Sequence, residues 1–311
     1  MLDNLTGKVV TGKWNRRIYR ILRILGSGEN GLVYLAERDA ELIAIKVSED
    51  SAALSLEWER MREMGQALIS PCPRVYEMDD VETDDRVYAF FAMEYIEGGD
   101  LRQYAARMSK EQFPAVLLEI AGLLHAMHQK GYAFGDLKPE NVLVKKTTLQ
   151  PVLIDFGGVT PFGAVIKEFT EIYDRSFWGY GARKADEHYD FFALAMVGAF
   201  LCLALSGNGK RKLMQLPPGK RKRTLRDYFL EAERQYSFAN ALHQVVAGKI
   251  LDYESLCDAL AQNQKRQIRE TKRQKRWDGT DWALLFSVLV FTFTIAAILL
   301  IGGHQSVFVI Q

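Results

Sequence analysis

The stretch Gly135-Asp136-Leu137-Lys138-Pro139-Glu140-Asn141, followed after a short strand-like run by Asp155-Phe156-Gly157, constrains this chain more than any other feature. The runs NVLV and VLID read as two short strands bracketing a turn, and two carboxylates and a carboxamide converge around them. Taken singly, each aspartate reads as a turn or cap residue. Together, in this order, they match the needs of in-line γ-phosphoryl transfer: metal ligands, and a carboxylate that orients the attacking hydroxyl. Asp155 and Asn141 offer oxygen ligands for Mg2+, Asp136 can accept the hydroxyl proton, and Lys138 can steady the transferring phosphoryl.

Two earlier motifs fit the same chemistry. Gly26-Ser27-Gly28-Glu29-Asn30-Gly31, followed by Leu32 and Val33, lies between two strand-like runs. Glycines let a strand-turn-strand close over a triphosphate because no Cβ blocks the approach, but plain hairpins and dinucleotide folds also use this pattern. A dinucleotide fingerprint should open a helix, whereas GLVYLAE continues as a strand. On the next strand Lys46 sits in the apolar run LIAIKVS, where a lysine is costly to bury unless paired. It reads either as an edge residue whose stem reaches solvent, or as a bridge between the α- and β-phosphates and an acid on the following helix. Glu57 is the expected acid, because Arg60, Met61 and Met64 follow at helical spacing; Glu59 and Glu63 are rivals.

From Tyr19 to about Met93 short β-rich runs surround one helical stretch, Ala52 to Gln66, and after Gly98-Gly99 the pattern turns helical through about residue 262. The expected fold is α+β: a small antiparallel-sheet lobe with one helix at 19–97 and a helical lobe at 98–262. An extension (1–18) precedes them; a basic segment (263–282), a transmembrane helix (283–303) and an external tail (304–311) follow.

These motifs resemble those of the protein-kinase family across roughly residues 19 to 262, and in layout the short, membrane-anchored bacterial Hanks-type kinases associated with sporulation. The resemblance implies that ATP and Mg2+ are used and that proteins are the substrates. FAMEYIEGGDL would be the hinge, with Met93 as gatekeeper, the backbone of Glu94 and Ile96 bonding adenine, and Asp100 near the ribose. Leu25, Leu32, Val33, Ala44 and Leu143 would belong to the nucleotide site. Asp190 would anchor the catalytic loop, leaving His128 a packing residue, and Lys138 favours the serine/threonine class. Departures are also present. Phe134-Gly135 stands where kinases carry His-Arg, which removes the arginine that receives an activation-loop phosphate. After Thr170-Glu171-Ile172-Tyr173, Phe177 replaces the glutamate that closes that segment and pairs with a later arginine. Thr160, Thr170 and Ser176 are positional candidates for autophosphorylation.

The 311 residues carry a net charge of +1, but 210–276 holds 17 Lys/Arg against 7 Asp/Glu. Within it, KRKLMQLPPGKRKRTLR (210–226) reads as a loop between helices, and KRQIRETKRQKR (265–276) immediately precedes a charge-free stretch, 283–303. As a helix that stretch is long enough to cross a bilayer, and its basic flank places the body in the cytoplasm at the plasma membrane. The N-terminus, MLDNLTGKVV, does not read as a signal peptide, and the eight residues after the span are too few for a sensor. Segment 210–226 reads as a solvated loop and 265–276 as a topology signal, or else one or both bind DNA or anionic lipid and so promote self-association. Few aromatics interleave them, which argues against base stacking. The three cysteines share no metal-ligand spacing and indicate a reducing compartment. The rival readings are a small-molecule phosphotransferase of related fold and a membrane-bound nucleic-acid tether on a silent kinase scaffold.

Overall fold

The computed structural model describes residues 5–28, 31–66, 71–83, 86–109, 112–204, 207–262 and 286–292. The chain divides into two units, residues 1–261 and 262–311.

The first unit opens with a six-stranded antiparallel sheet. Its strands are β1 (Val9–Thr11), β2 (Ile18–Gly28), β3 (Gly31–Arg38), β4 (Glu41–Ser48), β5 (Val75–Thr83) and β6 (Arg86–Glu94), in the order β1-β2-β3-β4-β6-β5. Part of the expected N-terminal extension thus belongs to the sheet. It is fastened there by Asp79, whose carboxylate accepts the backbone N–H groups of Trp14 (3.0 Å) and Asn15 (2.8 Å). Side chains alternate across a strand, so the ladder sorts the two faces. Tyr34, Ile45 and Ala92 are cross-strand neighbours on the face carrying an apolar core with Tyr19, Ile21 and Phe90. The other face carries Val33 beside Lys46 and Ala44 beside Met93.

Helix α1 (Ser51–Met64) is capped by Asp50, whose side chain accepts the Ala53 N–H at 2.9 Å. Its buried positions, Leu54, Glu57, Met61 and Met64, recur at helical spacing, so the one acid among them is carried inward with the apolar residues.

The chain then runs through β7 (Gly98–Asp100), α2 (Leu101–Ala105), α3 (Gln112–His128), β8 (Tyr132–Ala133), β9 (Val142–Lys145), β10 (Pro151–Leu153) and β11 (Thr160–Pro161). It ends in α4 (Glu187–Cys202), α5 (Gly207–Met214), α6 (Pro218–Gln235) and α7 (Ala239–Val246). NVLV and the VLID region do form an antiparallel pair, Val142–Leu153 to Val144–Pro151. Helix α4 is apolar around nearly its whole circumference and buried from Tyr189 to Phe200, which makes it the axis of the helical lobe. The segment 210–226, expected as a loop, is mostly helix. Only 215–217 separates α5 from α6, because Pro218 takes the first helical position, where its missing N–H costs nothing.

In the second unit residues 286–292 are helical, with Phe286, Val288, Leu289, Val290 and Phe291 exposed. Among the described residues no helix is long and apolar enough to cross a membrane. The expected span 283–303 lies largely outside the described residues, and so does the basic run 265–276.

Candidate active site

Lys46 projects from the inner face of β4 and is 6% exposed. Its Nζ lies 2.7 and 2.6 Å from the two Glu57 oxygens and 3.1 Å from Asp155 Oδ1. Of the three rival acids, Glu57 alone is buried; Glu59 is exposed and Glu63 lies beside Arg60. Burial opposes the Lys46 charge, but Glu57 and Asp155 outweigh it and hold the pKa above the usual lysine value. Burial pushes Glu57 upward, with the Asp155 charge adding to it against the pull of Lys46. Glu57 also accepts the backbone N–H of Phe156 at 3.3 Å. That ring packs edge-on to Phe134, so the residue next to Asp155 is locked into the core. Asp155 itself is left-handed (φ 66°, ψ 80°), a conformation that costs a non-glycine residue about 1–3 kcal/mol and that its neighbours must enforce.

The second cluster surrounds Asp136. Its Oδ1 accepts the Thr170 hydroxyl at 2.8 Å and its Oδ2 accepts Lys138 Nζ at 2.5 Å. Asn141 Nδ2 donates to the Asp136 carbonyl at 2.9 Å. The loop before this base hangs on Asp190, which is fully buried at the start of α4. Its carboxylate accepts the N–H groups of Phe134 (2.7 Å) and Gly135 (2.9 Å), and His128 Nε2 donates to it at 2.8 Å. His128 is therefore a buried partner of Asp190, away from the Asp136 carboxylate. Gly135 has φ +86°, and a Cβ there would stand 2.5 Å from the Gly158 carbonyl oxygen, so this backbone as it stands has no room for a side chain at that position.

The nucleotide-site residues fall around Lys46. Leu25, Val33, Met93 and Leu143 are partly exposed and Ala44 is buried, an apolar lining on the inner sheet face and on β9. Leu32 falls on the opposite face, paired with Val47. Glu29 and Asn30 lie outside the described residues. Around Ser27, a Cβ on Gly26 or Gly28 would meet nothing within 4 Å, so no protein packing demands glycine at either position. Gly31 differs: its φ is +130°, and a Cβ would stand 2.1 Å from the Val47 carbonyl oxygen. The Ile96 backbone enters no hydrogen bond among the described residues although its side chain is buried, which leaves an N–H and a C=O for a ligand. The Glu94 N–H is taken by the Arg74 carbonyl (2.8 Å). Asp100 caps α2, accepting the backbone and side-chain nitrogens of Gln103.

The oxygens fit a hard divalent cation. Asn141 spends its Nδ2 on Asp136, and among the described residues Asn141 Oδ1 and Asp155 Oδ2 carry no hydrogen bond. No group of three or more His, Cys, Asp or Glu that could hold a metal occurs among the described residues, so a cation here would draw its remaining oxygens from water and phosphate.

Sequence reading missed how the segment after Thr170 is held. Arg175 forks onto Asp186 (2.7 and 2.6 Å) and donates to the carbonyls of Ala182 (2.9 Å) and Lys184 (3.0 Å). Arg183 pairs with buried Asp174 at 2.9 and 2.7 Å, and the Tyr189 hydroxyl donates to the same aspartate. Phe177 has an arginine partner in spite of having no charge. Arg221 stacks 3.8 Å from its ring centroid and donates to its carbonyl at 3.0 Å. The alternation Asp174-Arg175, Arg183, Asp186 was the available signal. Three of the eight cations in 210–226 face this segment: Lys210 on Tyr173, Arg221 on Phe177 and Lys222 over Tyr180.

The family model described as "Protein kinase domain" matches residues 19–178. The chain is 40% identical over 194 residues to serine/threonine-protein kinase YabT of Bacillus subtilis, covering 61% of this chain and 57% of that protein. It is 32% identical over 149 residues to serine/threonine-protein kinase PrkC of the same organism, covering 45% of this chain and 22% of the relative. Solved structures share the fold, among them two kinases. The Cydia pomonella granulovirus kinase PK-1 gives a TM-score of 0.60 at 16% identity, covering 76% of this chain and 92% of its own. Vaccinia related kinase 3 gives 0.61 at 14% identity, covering 86% and 93%.

Proposed function

The chain belongs to the protein kinase family, and from that membership and the two linked clusters around Lys46 and Asp136 we propose that it is an ATP-dependent serine/threonine protein kinase. The observation that carries the reading is the Asp136 carboxylate, held on one oxygen by Thr170 and on the other by Lys138, on a loop fixed from below by Asp190. A serine or threonine hydroxyl replacing the Thr170 contact would meet a carboxylate already oriented to take its proton. Lys46, kept charged by Glu57 and Asp155, binds the α- and β-phosphates. Lys138 neutralises the phosphoryl group in flight. Asp155 and Asn141 would hold Mg2+, which supplies charge neutralisation on the phosphates. The open space above Gly26 and Gly28 and the unspent Ile96 backbone support a nucleotide between the sheet and β9.

The membrane reading rests on the charge-free stretch 283–303, its basic flank and the exposed apolar side chains of 286–292. In it the kinase lies on the cytoplasmic face of the plasma membrane. Arg211, Lys212, Lys220, Arg223 and Arg226 are exposed on α5 and α6, which supports a polyanion, DNA or anionic lipid, as regulator and a means of clustering. Retention on DNA or on anionic vesicles that does not fall with salt would remove that part.

The deciding experiment incubates the full chain, in detergent, with labelled ATP and Mg2+, generic protein acceptors and small-molecule alcohol acceptors. The expected result is phosphoserine and phosphothreonine on protein, lost in Lys46→Met and Asp136→Asn. Label appearing only on small molecules would establish the phosphotransferase rival, and the absence of any ATP turnover that depends on Lys46 would favour the tether.

A further inference from the structure

The approach to Asp136 is bordered by cations. Glu140, the acid nearest to it along the chain, is ion-paired with Arg102 on α2, the helix that packs on the 139–141 turn. Opposite, α5 packs on the single turn Glu171–Tyr173, which begins one residue after the Thr170 that touches Asp136. From α5, Lys210 Nζ donates to the Tyr173 hydroxyl at 2.7 Å and lies 5.2 Å from the ring centroid. No carboxylate pairs with Lys210 among the described residues.

Lys210 is half-buried, and Tyr173 beneath it is 4% exposed. Burial, and then the positive charge of Arg102, holds the Lys210 pKa below the usual lysine value. Burial raises the Tyr173 phenol above its ordinary value, with Arg102 opposing and Asp136 adding to the rise. Lys210, lying over a buried phenol without an acidic partner, is disfavoured in its charged form by desolvation and by the charge of Arg102. An anion entering between them relieves both. Of the acids near Asp136 along the chain, Glu140 is already neutralised by Arg102, whereas Glu171, the first residue of the turn, is exposed.

We infer that Lys210 and Arg102, with Tyr173 as floor, bind a carboxylate side chain flanking the serine or threonine acceptor of a protein substrate. This rests on the kinase reading above and adds a substrate class to it: proteins with an acidic residue beside the acceptor.

The test uses the full chain in detergent and serine peptides that differ only in carrying Asp, Asn or Lys at each flanking position. The Asp-flanked peptide is expected to exceed its Asn counterpart in kcat/KM by about five- to tenfold, mostly through KM. Lys210→Gln brings that ratio close to one, and Lys210→Glu inverts it toward the Lys-flanked peptide. Arg102→Gln, which leaves Tyr173 and α5 in place, also lowers the ratio and raises use of the Lys-flanked peptide by freeing Glu140. Equal use of Asp- and Asn-flanked peptides by the parent, or a ratio that survives in both Lys210→Gln and Arg102→Gln, overturns the inference. Phosphate transfer to peptides without charge preference sinks this site alone. Transfer to no peptide and no protein sinks the kinase reading with it.

Discussion

Replacing Arg175 by Met should loosen the substrate-facing segment and leave the nucleotide site intact. The Arg175 side chain is 7% exposed and Asp186 is 45% exposed. Truncation therefore leaves a carboxylate that water can reach, and the ion pair itself contributes near the exposed-pair value of about 1 kcal/mol. The carbonyls of Ala182 and Lys184 lose a charged donor but also lie toward solvent, so their loss adds about 1 kcal/mol together. The guanidinium also leaves the Tyr189 ring, 5.3 Å from its centroid, which costs about 0.5 kcal/mol at such a site. The expected total is about 2–3 kcal/mol, which for a unit of this size lowers Tm by about 4–10 °C. Thermal melts should show that fall, and steady-state kinetics should show a raised KM for peptide with KM for ATP unchanged. Asp186→Asn is the clean partner for a double-mutant cycle, because asparagine can still cap α4 through the Tyr189 N–H that Asp186 now accepts at 2.8 Å. An Arg175→Met protein with unaltered Tm and peptide KM, or a cycle with no coupling, would refute the view that this clasp holds the segment.

Other outcomes follow from the same geometry. Asp136→Asn should reduce phosphoryl transfer by about 10²–10⁴-fold with little change in Tm, read as labelled phosphate on an acceptor protein. Gly31→Ala should raise the ATP KM and lower Tm, because φ +130° and the contact with the Val47 carbonyl exclude a Cβ; an unchanged variant would mean that the hairpin relaxes freely. Asp190→Asn places an amide N–H against backbone donors that now meet a carboxylate, and should cost about 3–5 kcal/mol in denaturant unfolding. For Glu57, burial holds the folded pKa above the ordinary glutamate value, so between the two values the folded chain binds more protons than the unfolded one. Its contribution to stability should therefore fall as pH rises through that window, while activity rises as Glu57 ionises to pair with Lys46. Glu57→Gln should flatten the first profile.

The positions of Lys46, Asp136, Asn141 and Asp155 were legible in the sequence because each lies in a short motif whose local backbone fixes it. The two-lobed order of elements was legible too, since alternation of period two gives way to helical period after Gly98-Gly99. Proximity between distant segments was not. Three glutamates share α1, and which of them meets Lys46 depends on the face the helix buries, a choice made by Leu54, Met61 and Met64 packing inward together. Pro217-Pro218-Gly219 reads as a loop along the chain, yet Pro218 begins a helix because its fixed φ suits a first turn. Phe177 reads as a lost ion pair, but Arg221 found its ring and carbonyl instead. Charge complementarity leaves no periodic trace: Arg175 with Asp186 and Arg183 with Asp174 are pairings of residues that only a folded backbone brings within reach. The sequence determined by itself which groups can do chemistry. The tertiary structure decided which cations are spent on holding the segment and which stay exposed, because burial and distance, which set the strength of a charge, exist only once the chain has folded.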